Sequence, residues 1–566
     1  MTGPRGIASR LLPIVTLVAA WHWGCGDGGT SPADVGELPA DADGDADAAP
    51  DAAADADADA DGDADAEAGA DADGDAEAEA DVTPPPEACT PPIGLVDTSG
   101  ATNVVGNGTW ESCTETALRT ALDRRGLIRF DCGPVPIIIP IAAELRLDGY
   151  TGDVVLDGGG LVTLDGGGTT RILGLHSSFE RPEPRLTVER LTFLNGRTTD
   201  VPHTSSTENG GAAIYRLGGS LDVINCTFRG NVGPENGQDV AGGAVYSVGV
   251  GTTTVVGSTF FDNRCSSGGA LGNLHNPLVL VNSVVLSNQA TGTGGNPGDG
   301  GNGGGIYMDG VGNALTICGC RVGGNGGNAF GGGVFRVSNA ERPPTNIDMS
   351  SFDHNELWPD DFGLGGGLYL QGNAVTIEAT TISGNNASGA GGLFIGPNSS
   401  ADLTNVTFDR NFAKSGLGGA LFTDDETTGT LLNCTFTRNA APDELAFAGA
   451  IAGGGGMTMR NTVVAYSIAG NGWNPVSCTR TLADGGGNFQ WPVARAGGGS
   501  DDPDALCASG TNVVDPLLTD LFDNGGPTWT VLPADGSPVL GAGSGCPPTD
   551  QRGEPRSRCD SGAVER

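Results

Sequence analysis

Lysine is almost missing from this chain: Lys414 is the only one among 566 residues, and the other basic residues are arginines. Acidic residues number 69 against 28 basic, a formal net charge of −41 at pH 7. That excess excludes nucleic acid and anionic lipid head groups as partners, because both present phosphates that the chain would repel. Aromatic residues make up 5% of the sequence. No apolar run reaches the ~20 residues a membrane-spanning helix needs.

The N-terminus has its own logic. Arg5 and Arg10 precede the apolar run Leu11 to Ala20, and Gly24 stands immediately before Cys25. This order marks residues 1–24 as an export signal. Its Gly-Cys ending resembles a lipoprotein cleavage site, after which Cys25 would carry lipid as the first residue and hold the chain at an outer membrane or cell surface. His22 departs from that pattern, where an aliphatic residue is usual; the alternative is an ordinary secretory signal. From Ala33 to Val82 the chain is nearly all Asp, Ala and Gly, with twenty acidic residues and no basic one. Such a segment cannot bury a core, so residues 25–88 read as a disordered, self-repelling acidic linker, stiffened near its end by Pro84-Pro85-Pro86. Asp57-x-Asp59-x-Asp61-Gly62 imitates the start of a calcium loop, but position twelve is Ala68 rather than Glu. Calcium is therefore the one ion considered, and no metal or cofactor is assigned.

Between Ile172 and Ile451 one phrase recurs: a short alternating strand, an apolar residue followed three positions later by Asn, then a Gly-Gly pair leading into another strand. The asparagines are Asn231, Asn263, Asn288, Asn325, Asn355, Asn385, Asn411 and Asn439, spaced 25 to 37 residues apart. A period of this length is a solenoid signature, because one unit cannot bury its own apolar face and must stack on its neighbours. The alternation has period two, which is strand. Runs such as Leu278-Val279-Leu280-Val281 are apolar on both parities, as parallel strands near a packed interior are. Stacked turns would place successive Asn side chains ~4.8 Å apart, close enough for an amide ladder. The expected fold is all-β: a right-handed parallel β-helix of about ten or more coils, a monomeric rod of roughly 50 Å or longer. Coils are assigned to residues 134–512, an N-terminal cap with a short helix to 89–133 and a closing segment to 513–566. Loops Pro234 to Val240, Thr291 to Gly303 and Asn339 to Thr345 absorb the variation in period.

Phe228-x-x-Asn231, Phe260-x-x-Asn263, Phe352-x-x-Asn355, Phe408-x-x-Asn411 and Phe436-x-x-Asn439 alternate with Gly242-Gly-Ala-Val, Gly268-Gly-Ala-Leu and Gly418-Gly-Ala-Leu. These resemble the FxxN and GGA[I/L/V] motifs of polymorphic outer-membrane protein repeats. Several units depart from the motif, with Val285, Val322 or Ile382 for Phe and Gly303-Gly304-Gly305 or Gly331-Gly332-Gly333 for Gly-Gly-Ala. Ser112-Cys113 through Asp131-Cys132-Gly133 resembles the Cys-bearing leader of bacterial surface β-helix proteins. Asp515-Pro516-Leu517, Asp523 to Thr528, Asp550-Gln551-Arg552-Gly553 and Asp560 to Glu565 are similar to the closing segment of choice-of-anchor Q proteins. The resemblance implies surface location and architecture; it brings no agreed activity.

Thirteen cysteines leave twelve when Cys25 is set aside, an even number that favours disulfides in an exported chain. Cys113 and Cys132 flank an amphipathic helix with a capping box of Ser112 and Glu115, an apolar face of Ala117, Leu118, Ala121 and Leu122, and an end at Gly126. They form the first expected pair. Cys478 with Cys507 and Cys546 with Cys559 are the next. Cys226 and Cys434 hold equivalent places in their repeats and read as core fillers, and Cys89, Cys265, Cys318 and Cys320 are left unassigned.

β-Helices include polysaccharide lyases and hydrolases. Polygalacturonase-type hydrolysis needs an Asn-x-Asp, an Asp-Asp pair, a Gly-His-Gly and an Arg-x-Lys, so that carboxylates flank the bond while His and Lys orient the sugar. The chain offers Asn346-Ile347-Asp348 and Asp360-Asp361, but neither of the other two elements. Asp348, Asp360 and Asp361 are the catalytic candidates, set against solvated loop and strand residues as the plainer reading. Trp358, beside the Asp pair, could stack on a sugar face. The leading expectation is an anchored surface β-helix with a structural, adhesive or ligand-presenting role, its partner an extracellular glycan or another surface protein. The alternative is a pectin-lyase-like carbohydrate-active enzyme. An autotransporter passenger would need a C-terminal membrane barrel, and the chain instead stops at Arg566 after a Cys-closed segment.

Overall fold

The computed structural model describes residues 88–149, 151–199, 206–340, 342–471, 476–491 and 506–566. The export signal, Cys25 and all of the acidic linker before Ala88 lie outside the described residues. All the described residues belong to one compact unit.

That unit is a parallel β-solenoid of about 13 turns. One turn consists of Leu278–Val281, Val284–Leu286, Gln289–Ala290 and Ile306–Asp309. The next consists of Leu315–Cys318, Arg321–Gly323, Gly326–Gly327 and Val334–Val337. Each strand pairs in parallel with its counterpart one turn on, as in Leu278 with Leu315, Val285 with Val322 and Ile306 with Val334. These four positions are called here the first to fourth strands of a turn.

The sequence explains the shape of a turn. Inward residues of the first strand, such as Leu278, Leu280, Leu315 and Ile317, are wholly buried. The middle residue of each second strand is buried, and where neighbouring turns both place Phe there the rings stack: Phe193 on Phe228 at 4.8 Å, Phe228 on Phe260 at 4.7 Å, and Phe408 on Phe436 at 4.5 Å. Val285, Val322 and Ile382 occupy the same column without breaking the ladder. The corner between first and second strands needs a left-handed backbone, which Asn225, Asn282, Asn405, Asn433 and Asn461 or Gly257 and Gly319 supply. Met349 and Ala379 hold the same corner at φ 46° and 44° without that freedom.

The ladder asparagines lie one above another at the following corner. From Asn231 to Asn439, in seven consecutive steps, each Nδ2 donates to the next Asn Oδ1 at 2.9–3.0 Å. That same oxygen accepts the backbone N–H of the preceding Asn, and the second amide proton goes to a carbonyl one turn back, as from Asn355 to Val322. Every one of the eight is buried.

The helix Glu115–Arg124 covers the N-terminal end of the stack through Leu118, Ala121 and Leu122. The expected capping box is corrected: Thr114 is the N-cap, accepting from Ala117 N, while Ser112 belongs to the short 3₁₀ turn Trp110–Ser112. Glu115 is drawn away to Arg119 and to Ala142 N. Cys113–Cys132, Cys478–Cys507 and Cys546–Cys559 are disulfides, and a fourth joins Cys89 to Cys318. Cys226, Cys265, Cys320 and Cys434 are free and buried.

Two segments run outside the solenoid along the first-to-second corner. Residues 88–99 form a strap: Cys89 exchanges hydrogen bonds with the Asn282 side chain, Val96 N donates to Glu189 Oε2 and Thr98 Oγ1 to Asp157 Oδ2. The Cys89–Cys318 bond closes a loop of 229 residues, which in the chain-entropy model restrains the unfolded chain by about 5 kcal/mol. The closing segment lies on the same flank further along. Gln551 bridges Thr381, Thr407 and Thr528, Asn405 donates to Thr549 O, and Asn433 donates to the carbonyls of Asp560 and Gly562. Among the described residues the strap is joined to the solenoid as far as Cys318, and the closing segment is joined to it from Ala379 onward, whose carbonyl accepts from Thr528. One turn, with strands Pro344–Asp348 and Ser351–Asp353, has its corner bridged by neither among the described residues.

Candidate functional site

The bare turn carries an uneven set of side chains. On the outer face of its first strand Asn346 is exposed and Asp348 half-buried, with exposed Glu378 the register neighbour of Asp348 one turn on. Burial and the adjacent Glu378 push the Asp348 carboxyl above the usual carboxylate range. On the second strand Arg321 grips Asp353 with two hydrogen bonds of 3.0 and 2.9 Å. His354, its side chain 76% exposed, holds the same carboxylate at 3.3 Å. Burial raises the Asp353 pKa, but the bonds from His354 and Arg321 outweigh it and the carboxyl lies below its ordinary range. The bond to Asp353 raises the imidazole of His354.

The closing segment brings two aromatic residues to the following turn. Trp529 accepts a hydrogen bond at its carbonyl from Thr381, the register neighbour of Ser351, and its ring lies 6.3 Å from that of Phe522. Both are on the outside, Phe522 66% and Trp529 56% exposed, held by the bridge between Phe522 and Thr530. Sequence reading passed over this pair because nothing local separates an outward aromatic in a closing segment from a core one.

The other sequence candidates lie elsewhere on the turn. Asp360 and Asp361 follow the third strand Glu356–Leu357 and are exposed, whereas Asp348 ends the first strand; the chain turns twice between them, at Met349-Ser350 and at His354-Asn355. Their nearest charge is Lys414. Two repeats away in sequence, it reaches back so that Nζ lies 3.1 Å from Glu356 Oε1 and 3.4 Å from Asp360 Oδ1, and it donates to the carbonyls of Leu357 and Trp358. The chain's single lysine is thus a clip on the Trp358 loop. Trp358 is 40% exposed and lays one face over Gly326, where an added Cβ would stand 2.5 Å from Cζ2. Packing uses that face and leaves the other open.

The arrangement therefore brings Asp348 to Glu378 and Lys414 to Asp360, and does not gather Asp348, Asp360 and Asp361 into one groove. Among the described residues no group of three or more His, Cys, Asp or Glu is placed to share a metal ion, and no helix is long and apolar enough to cross a membrane. No family model, curated protein or solved structure matches the chain. The class of protein defined by fold and site is a parallel β-solenoid with residues 88–99 and the closing segment folded onto one flank.

Proposed function

We propose that this is an exported β-helix, lipid-anchored through Cys25 at an outer membrane or cell surface, that works by presenting its flank to an extracellular glycan or another surface protein. The observation carrying this reading is the turn between strap and closing segment whose corner neither bridges among the described residues, where Asn346 and His354 are exposed, Asp348 and Ser351 are half-buried, and the closing segment presents exposed Phe522 and Trp529 from the next turn. Exposed aromatics beside hydrogen-bonding side chains match the mixed apolar and polar faces of a sugar. The Phe-x-x-Asn and Gly-Gly-Ala repeats, similar to polymorphic outer-membrane repeats, and the Gly24-Cys25 ending support surface placement. The acidic linker would hold the solenoid away from the lipid. Intact-mass analysis of membrane-extracted protein tests the anchor: a lipid-bearing Cys25 N-terminus and release by Cys25→Ser are expected, and an unmodified N-terminus elsewhere rules the anchor out.

The second reading is a carbohydrate-active enzyme, favoured by one observation. Asp348 and Glu378 are neighbouring carboxyls with the first held up in pKa, the asymmetry an acid and base pair needs. Turnover lost in both Asp348→Asn and Glu378→Gln would make this the function. Lys414 lends it no help, being bound to the loop at the third strand.

A further inference from the structure

A second feature lies beside the strap at the N-terminal end of the solenoid. A cleft of about 480 Å³ is walled by Leu95 to Ser99 on one side and by Arg129, Phe130, Asp157, Gly159 and Arg190 on the other. Its volume falls in the range of small-molecule sites, roughly 300–1,000 Å³.

The charges in it are balanced but not equally engaged. Asp157 is saturated, accepting from Arg190 Nε at 2.9 Å, from Arg190 Nη2 and Thr98 Oγ1 at 2.5 Å, and from Gly159 N at 2.9 Å. Arg129 is different. It lies next to Asp157 in register, pairs with no carboxylate among the described residues, and its buried Nε has no acceptor. On the facing wall Asp97 is exposed, its carboxylate held by the backbone N–H and the hydroxyl of Ser99. Leu95 is 47% exposed and Phe130 half-buried, so the walls between these polar groups are apolar.

We infer that this cleft binds one neutral sugar unit, such as the terminal residue of a glycan, with Arg129 donating to its hydroxyls, Asp97 accepting from them, and Leu95 and Phe130 against its C–H face. Net charge selects this class. An anion would meet Asp97, and a cation would meet Arg129, whereas a hydroxylated neutral ring can donate to the carboxylate and accept from the outer N–H groups of the guanidinium. The inference rests on the reading that the protein presents its surface to glycans, and it adds a site distinct from the bare turn.

The test titrates the full chain with glucose, galactose, mannose and N-acetylglucosamine, using calorimetry and saturation-transfer NMR. At least one sugar should saturate, with binding weakened tenfold or more by Arg129→Met and by Leu95→Trp, which fills the cleft from an exposed strap position. If near-UV circular dichroism shows Arg129→Met to be misfolded, Leu95→Trp decides alone. No saturable binding of any of the four overturns the inference, as does binding unaffected by the cleft variants. Should Trp529→Ala abolish binding while the cleft variants keep it, the proposed function stands and the cleft site falls.

Discussion

Replacing Asn355 by leucine strikes the ladder at its middle. Asn355 Oδ1 accepts Asn325 N at 3.1 Å and Asn325 Nδ2 at 2.9 Å, while its own amide donates to Asn385 Oδ1 and Val322 O at 2.9 Å each. Leucine orphans two buried donors of Asn325 and removes one donor from each of two acceptors. At about 1–3 kcal/mol for each orphaned buried group, the two donors alone cost roughly 2–6 kcal/mol. Asn339 is the control: exposed, its side chain donates to Asp309 Oδ1 at 3.1 Å, and its replacement by leucine should cost about 1 kcal/mol or less. Because a solenoid is held by nearest-neighbour interfaces, the damage should be local first, with faster hydrogen exchange at Asn325, Asn355 and Asn385 and a lower melting temperature. Equal loss in the two variants would refute the ladder's role.

Gln551→Leu leaves the hydroxyls of Thr381, Thr407 and Thr528 without their shared partner and should cost roughly 2–4 kcal/mol, read as release of the closing segment to limited proteolysis. Asp353 should hold the His354 pKa above 6.5, so its contribution to stability is fully present below about pH 6.5 and lost as pH rises through the higher folded value. NMR titration of Asp353→Asn should return His354 to the ordinary range or below; no change would contradict the assignment. Lys414→Met should raise exchange across Trp358 to Phe362 while costing about 1 kcal/mol or less, since Asp360 is exposed and such pairs contribute little.

The repeat was legible because it is written in local chemistry: apolar alternation sets the strands, and Asn or Gly marks corners where other residues are strained. Cys113–Cys132 could be read for the same reason, its two cysteines flanking one helix. The Cys89–Cys318 bond could not, since 229 residues separate partners that only the strap's path brings together. The same holds for Lys414, whose distance in sequence from Asp360 concealed a contact across two turns. Glu378 beside Asp348 is a matter of register, and register follows from the ladder only after each loop's length has been assigned to a place on the turn. The Asp550-Gln551-Arg552 motif was visible as a closing signature without its reason. Gln551 is the buried bracket between three threonines, and Asp550 accepts from Arg552 and from Glu565 N.

Binding and turnover measured in one experiment test the central claim most directly. The detergent-extracted full chain is incubated with pectin, alginate and neutral glycans, with and without calcium, while bound ligand, reducing ends and unsaturated products are followed together. Saturable binding of a neutral glycan with no product is the predicted result. Reproducible turnover abolished by Asp348→Asn or by Asp360→Ala would contradict it and make the flank an active site.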